Sequence, residues 1–284
     1  MPSSKLFDYS RLVIGYYLGF GICRIDGGCV KVKILGCSGS ETIGHNPTGF
    51  LVNDVMMLDA GTITAALTLS AQLRITDILI SHTHLDHIKS LLFLADNIVG
   101  RVKKPVNIRA IPGVIDAIRK HLMNDLIWPD FTKIPTAVNP VLTYVPMPVG
   151  KTMSIAGLKV KAVPMNHPVP AVGFVVSDGR SSFIYSADTG PNEGLWKEAA
   201  KAKDLNAIIV DTSFPNSLEE LAGLSGHFTP RQLHQELMKA RIGNDVPVYI
   251  YHIKPVHKKK VISELKSLGR KNVKVLQEGK TYRF

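Results

Sequence analysis

The chain has 284 residues with 45% hydrophobic and 20% charged content, a balance that supports a sizeable apolar core and excludes an intrinsically disordered polymer. Its formal charge of +11 favours anionic partners, either phosphorylated small molecules or nucleic acid. The cysteines Cys23, Cys29 and Cys37 are odd in number and crowded at one end, which excludes an even disulfide framework.

No segment reaches the roughly 18 apolar residues needed to cross a bilayer, so no membrane partner is expected. The apolar run 12–23 is flanked by Arg11 and Arg24, but Asp8 precedes it and no small-residue cleavage site follows. The expectation is a cytoplasmic protein. Residues 1–30 form an N-terminal extension, and 31–284 form a single domain. The basic clusters Arg101 to Lys104 and Lys258 to Lys260 lack interleaved aromatic residues, so neither offers a stacking platform for single-stranded nucleic acid.

In chain order, residues 32–36 read as a strand, followed by a hairpin of 49–52 and 55–59 around Asn53 and Asp54. Residues 64–73 have a helical pattern, 77–81 form a buried strand, and a helix spans 88–98. A strand at 106–110 and a helix at 114–123 precede a Pro/Thr-rich loop at 128–140. The second half repeats the scheme with strands at 158–164, 173–176, 182–186, 207–211, 246–253 and 273–276. Helices are expected at 193–203 and 258–268, and another starts at Thr229 and Pro230 with threonine as cap. Two β-rich halves without a long linker imply an α/β sandwich of two packed sheets with helices outside.

Ligand-capable side chains recur where apolar strands end. Asp59, His82, His167, Asp188, Asp211 and His252 each follow such a run, where a rigid scaffold can position chemistry. The segment His82-Thr83-His84-Leu85-Asp86-His87 concentrates three imidazoles and a carboxylate, donors that suit zinc, iron or manganese. In extended backbone His82 and His84 point the same way. Asp86 and His87, at the turn into a helix, can face a second ion.

His-x-His-x-Asp-His after a buried strand resembles the signature of the metallo-β-lactamase superfamily, as do the segment Met57 to Gly61 and the later single donors His167, Asp188 and His252. The resemblance implies a four-layer αββα fold. It implies two divalent metal ions, zinc first with manganese or iron as alternatives. One would be bound by His82, His84 and His167, the other by Asp86, His87 and His252, with Asp188 bridging. In phosphodiesterase branches a His-x-Thr segment supplies a histidine beside the leaving group. His227, in Gly226-His227-Phe228-Thr229-Pro230, resembles it, and Asp211 resembles its acidic partner.

Leu85 and the run Ile88 to Leu92 resemble the class II 3′,5′-cyclic-nucleotide phosphodiesterases, although Phe93, Ala95, Asp96 and the loop Gly36 to Ser40 depart from that pattern. The implied activity is hydrolysis of 3′,5′-cyclic nucleotides to 5′-nucleotides by a hydroxide held between two metals. Asp86, His227 and Asp211 would be the catalytic residues, and Asp59 would support a metal-bound histidine. The expected substrate is a small anionic phosphodiester. RNA and a second copy of the chain are further candidate partners. Alternatives are a transfer-RNA 3′-processing endonuclease, an acyl hydrolase acting on lactones or thioesters, and a metal-binding sensor. His45 is a candidate pocket residue, while His121, His234 and His257 are expected on helices as surface or core residues.

Overall fold

The structure, a computed structural model, describes residues 29–202 and 204–284. The expected extension 1–30, with its apolar run 12–23, lies outside the described residues except for residues 29 and 30. Side chains alternate along each strand, and that alternation distributes apolar groups to both faces of two sheets.

In the first sheet, β1 (Lys31–Gly36), β2 (Gly49–Val52) and β3 (Met56–Leu58) are antiparallel neighbours. The sheet continues in parallel through β4 (Asp77–Leu79), β5 (Val106–Ala110) and β6 (Leu142–Pro146). The hairpin turns on Asn53 and Asp54, at φ 47° and 61°, a left-handed conformation that short polar side chains tolerate. The second sheet begins with antiparallel β7 (Thr152–Ile155), β8 (Leu158–Pro164), β9 (Val172–Ser177) and β10 (Ser182–Tyr185). From β10 it runs in parallel through β11 (Leu205–Asp211), β12 (Val248–Tyr251) and β13 (Val273–Val275). The last strand, β14 (Thr281–Arg283), returns to the first sheet and pairs with β1, Tyr282 opposite Val32.

Successive residues of one strand serve different cores. Phe50, Val52 and Leu58 meet Phe174, Phe183, Tyr185 and Ile209 between the sheets. Their neighbours Leu51, Met57 and Ile78 face outward onto α3 (Ser90–Ile98) and α4 (Pro112–His121). On the other side Ile208, Val210, Val248 and Ile250 pack beneath α5 (Glu193–Lys201), α7 (Pro230–Lys239) and α8 (Lys258–Ser267). Each such side chain stabilises by about 1.5–3 kcal/mol when fully buried. The layers are therefore helix, sheet, sheet, helix, which is the expected α/β sandwich.

The local differences have local causes. Of the expected helix 64–73, only α1 (Leu69–Gln72) forms, because Thr68 in extended backbone caps it by accepting from Ala71 N–H. The expected helix 88–98 is two helices, α2 (Leu85–Ile88) and α3, which meet at Lys89. α6 (Glu219–Ser225), β6, β7 and β14 were not anticipated, since their runs are short or half-exposed and carry little periodicity. Thr229 does cap α7, in a reciprocal box with Gln232. His121 ends α4 and His234 lies on α7, but His257 closes a 3-10 turn (Pro255–His257). Among the described residues Cys29 is disulfide-bonded and Cys37 is free. No helix among the described residues is long and apolar enough to cross a membrane.

Candidate metal centre and active site

Asp59, His82, His167, Asp188 and His252 follow the carboxyl end of a strand and Asp211 ends one, where the ladder stops and the chain turns, whereas Asp86 and His87 lie on α2 and His227 just ahead of α7. Asp59 after β3, Ala187 after β10 and His252 after β12 have φ of 56°, 53° and 63°. Left-handed backbone costs of order 1–3 kcal/mol at a non-glycine residue and persists only where the surroundings fix it. They do so here: Asp59 N–H donates to Leu79 O at 2.8 Å and His252 N–H to Cys37 O at 2.7 Å.

The turns bring two sets of side chains together. Donor atoms of His82, His84, His167 and Asp188 lie within 4.8 Å of one another, and so do those of Asp86, His87 and His252. Asp188 Oδ2 faces both sets, 3.6 Å from His82 Nε2, 3.3 Å from His87 Nε2 and 3.2 Å from His252 Nε2. Asp86 reaches His252 Nε2 at 3.2 Å from the open side of the site, its side chain 24% exposed. Asp188, Asp211, His227 and His252 form a third such set. There, however, the Asp211 carboxylate is already engaged by His227 Nδ1 at 2.6 Å and by Ser213 Oγ at 2.7 Å. That set is a hydrogen-bonded pair at the edge of the cluster.

Hydrogen bonds behind the rings decide which nitrogen each presents. Ser81 Oγ donates its one proton to Asp59 Oδ2 at 2.8 Å, so it accepts from His82 Nδ1 at 2.9 Å. His87 Nδ1 donates to the same Asp59 oxygen at 2.8 Å, and His167 Nδ1 donates to Gly226 O at 3.1 Å. Ser213 Oγ donates to Asp211 Oδ1 and accepts from His252 Nδ1 at 2.9 Å. In all four rings Nδ1 is occupied from behind and Nε2 points into the cluster. His84 turns its Nδ1 inward, 3.2 Å from His167 Nε2.

Electrostatics follow from the crowding. Burial drives the His82 pKa well below its usual value, and the charge of His87 adds to this. Burial likewise lowers His84 and His167, helped at His84 by the neighbouring His167. Burial works against a charged His87, but Asp188 and Asp59 outweigh it and raise its pKa well above the usual value. Asp188 stays ionised well below the usual carboxylate range, because His252 and His87 overcome the burial that opposes it. His227 is raised above its ordinary 6.5, since the Asp211 carboxylate outweighs burial.

A cation fits this donor set. His82 Nε2 is fully buried and has no hydrogen-bond partner among the protein groups, a costly arrangement for a polar atom unless something there accepts its lone pair. Five imidazoles and two carboxylates of the right chemistry converge around it.

The residues singled out from sequence thus come together: His82, His84, His167, Asp188, Asp86, His87 and His252 in one cluster, with His227 and Asp211 beside it. Asp59 takes the supporting place expected of it. His45 does not join them, being half-buried in a turn with its ring near Thr42 Oγ1 at 3.1 Å. Sequence reasoning missed Ser81, Ser213, Tyr185 and Tyr251. Tyr185 Oη donates to Asp59 Oδ2 at 2.5 Å and Tyr251 Oη to Asp188 Oδ1 at 3.3 Å. For the serines the available signal was position, one residue before His82 and two after Asp211. The tyrosines looked like ordinary core aromatics.

Comparison with known proteins adds lineage to this geometry. The unliganded yeast PDE1 structure superposes with a TM-score of 0.77 at 20% identity, covering 90% of this chain and 99% of that one. The metallo-β-lactamase fold protein YhfI from Bacillus subtilis superposes with a TM-score of 0.69 at 17% identity, covering 90% and 100%. These likenesses establish the metallo-β-lactamase fold. A probable 3′,5′-cyclic-nucleotide phosphodiesterase of Yersinia pestis is 26% identical over 236 residues, 72% of this chain and 67% of the relative. The profile of the cAMP phosphodiesterases class-II matches residues 60–266, and the chain belongs to that family.

Proposed function

We propose that this protein is a two-metal phosphodiesterase that hydrolyses 3′,5′-cyclic nucleotides to 5′-nucleotides. The observation that carries the reading is the hydrogen-bonded His227–Asp211 pair, 2.6 Å apart, set against the edge of the histidine and aspartate cluster in a chain of this family. His82, His84 and His167 would hold one divalent ion, Asp86, His87 and His252 the other, with Asp188 shared between them. When bound, such ions supply Lewis acidity to the phosphoryl group and lower the pKa of a water.

The chain's own groups do the rest. Asp86, on the open side, orients the attacking water. As that water attacks phosphorus, the bond from phosphorus to the ribose 3′ oxygen breaks. His227 Nε2–H gives the departing oxygen its proton. Asp211 keeps the other ring nitrogen, Nδ1, as donor and favours the imidazolium. Asp59 fixes His87 directly and His82 through Ser81, so both rings keep one orientation.

Zinc is the proposed metal, with manganese and iron as alternatives, and elemental analysis of purified protein decides among them. The test of the reaction is metal content measured beside turnover of cyclic AMP, cyclic GMP and bis(p-nitrophenyl) phosphate. Full metal loading without turnover of either cyclic nucleotide refutes the substrate assignment. The net charge of +11 supports a second reading, an RNA-processing phosphodiesterase, in which a transfer-RNA precursor is cleaved in place of the cyclic nucleotides. We further propose residues 31–284 as one domain, a cytoplasmic location and a homodimer. Fractionation and sedimentation test the last two.

A further inference from the structure

We propose that Ser213 is a positioning residue that fixes His252 as a metal ligand and ties it to the proton-donating pair His227 and Asp211. The proposal rests on the two-metal reading above and concerns how one of the two sites is held.

Ser213 follows β11 by two residues and is completely buried. Its backbone is pinned between neighbours, with its N–H donating to Phe228 O at 3.0 Å and its carbonyl accepting from Lys254 N–H at 3.2 Å. Its hydroxyl therefore has little freedom to move. The Oγ lies 2.7 Å from Asp211 Oδ1, 2.9 Å from His252 Nδ1, 3.0 Å from His252 O and 3.2 Å from His227 Nδ1. A hydroxyl has one proton to give, and the carboxylate is the nearer and the charged acceptor. The oxygen lone pairs are then left for ring N–H groups. His227 Nδ1 already donates to Asp211 Oδ2 at the shorter distance of 2.6 Å. The remaining partner is His252 Nδ1–H.

That bond sets the tautomer of His252. With Nδ1 carrying the proton, Nε2 has its lone pair, and Nε2 is the atom 3.2 Å from both Asp188 Oδ2 and Asp86 Oδ2. Without the hydroxyl, the next acceptor for Nδ1–H is Asp211 Oδ1 at 3.8 Å, beyond hydrogen-bond reach. The ring would then keep an unsatisfied buried N–H, or move the proton to Nε2 and lose its lone pair toward the site. Either outcome weakens the ligand. The His252 and His227 rings also lie stacked, with centroids 5.2 Å apart and planes at 21°. One carboxylate thus holds His227 directly and His252 through Ser213.

The same device occurs in the other half of the molecule. Asp59 holds His87 directly and His82 through Ser81, with the serine donating to the carboxylate and accepting from the imidazole. The two carboxylates stand at the carboxyl ends of strands in different sheets, Asp59 just after β3 in one and Asp211 as the last residue of β11 in the other. Asp59 supports two rings of the cluster. Asp211 supports one ring of the cluster and one beside it, which makes Ser213 the link between metal binding and proton donation.

The test is metal affinity, read independently of turnover. Wild-type protein and the Ser213→Ala, Asp211→Asn, double and His227→Ala variants are titrated with zinc against a chromophoric chelator. Removing a group that orients a ligand lowers affinity by about 10- to 100-fold. The expected result is that Ser213→Ala weakens one of two zinc equivalents by that factor and leaves the other unchanged. Asp211→Asn should weaken the same equivalent, with the double variant no worse than the weaker single one, because both act through one connection. His227→Ala should leave both equivalents tight. The proposal is overturned if Ser213→Ala binds both equivalents as wild type does, if it weakens both equally, or if the two losses multiply. A wild-type protein that takes up fewer than two equivalents overturns the two-metal reading itself, and this proposal with it. A failed substrate assignment leaves the titration unaffected.

Discussion

Replacing His227 by alanine should separate proton donation from metal binding. His227 Nδ1 is taken by Asp211 at 2.6 Å, which leaves Nε2 as the other proton-bearing atom of a ring whose pKa is raised above 6.5. A positioned general acid contributes about 10²–10⁴-fold in rate, and each decade corresponds to about 1.36 kcal/mol. His227→Ala should therefore raise the barrier for cyclic AMP by about 3–5 kcal/mol. The same variant should lose less than about tenfold on bis(p-nitrophenyl) phosphate, because p-nitrophenolate departs without a proton. The pH profile carries a second sign. Activity that needs the imidazolium is complete below the His227 pKa and falls as pH rises through it. Asp211→Asn removes the charge that raises this pKa, so the alkaline limb should move to lower pH. The measurements are steady-state kcat on both substrates and a pH series. Equal losses on the two substrates, or an unmoved alkaline limb in Asp211→Asn, would refute the assignment of His227 as acid.

Three further outcomes are expected. Asp188→Ala should abolish binding of both ions, since its Oδ2 faces rings of both sets, whereas His84→Ala should remove one; elemental analysis after dialysis distinguishes them. Gly226→Ala places a Cβ 2.9 Å from His167 Nδ1 at φ 66°, and should cost about 1–3 kcal/mol of stability and loosen metal binding, read by urea titration and chelator competition. Phe50→Ala empties a fully buried position whose ring lies 5.2 Å from Tyr185 and 5.6 Å from Tyr251, and should cost about 3–5 kcal/mol with an unchanged denaturant slope; a cost below about 1 kcal/mol contradicts the core assignment.

Much of the fold was visible in the order of residues because its central strands are buried on both faces. β4, β11 and β12 read as continuous apolar runs, and continuous apolarity needs no knowledge of partners. The site was visible for a related reason. A histidine or aspartate directly after such a run stands out against it, as His82, Asp188, Asp211 and His252 do. What escaped depends on contacts distant in sequence. β14 pairs with β1 across most of the chain, and nothing in Thr281 to Arg283 announces it. Thr64 to Leu67 look helical in isolation, but the Thr68 cap starts the helix later. The hydroxyls of Ser81, Ser213 and Tyr185 have no local signature, since their roles exist only once carboxylates from other strands arrive.

The cluster draws on both sheets in every one of its parts. His82 and His84 come from the end of β4 and meet His167 and Asp188 from the second sheet, while Asp86 and His87 meet His252. Neither sheet owns a complete set. An ion held here would act as a rivet through the seam of the sandwich, closing chain segments as long as that between residues 86 and 252. Closure of so long a loop is entropically unfavourable, and a bound ion offsets that cost. The centre can assemble only after both sheets have come together, so it would form late in folding. Chelation would open the catalytic seam before it disturbed the helices packed on the outer faces.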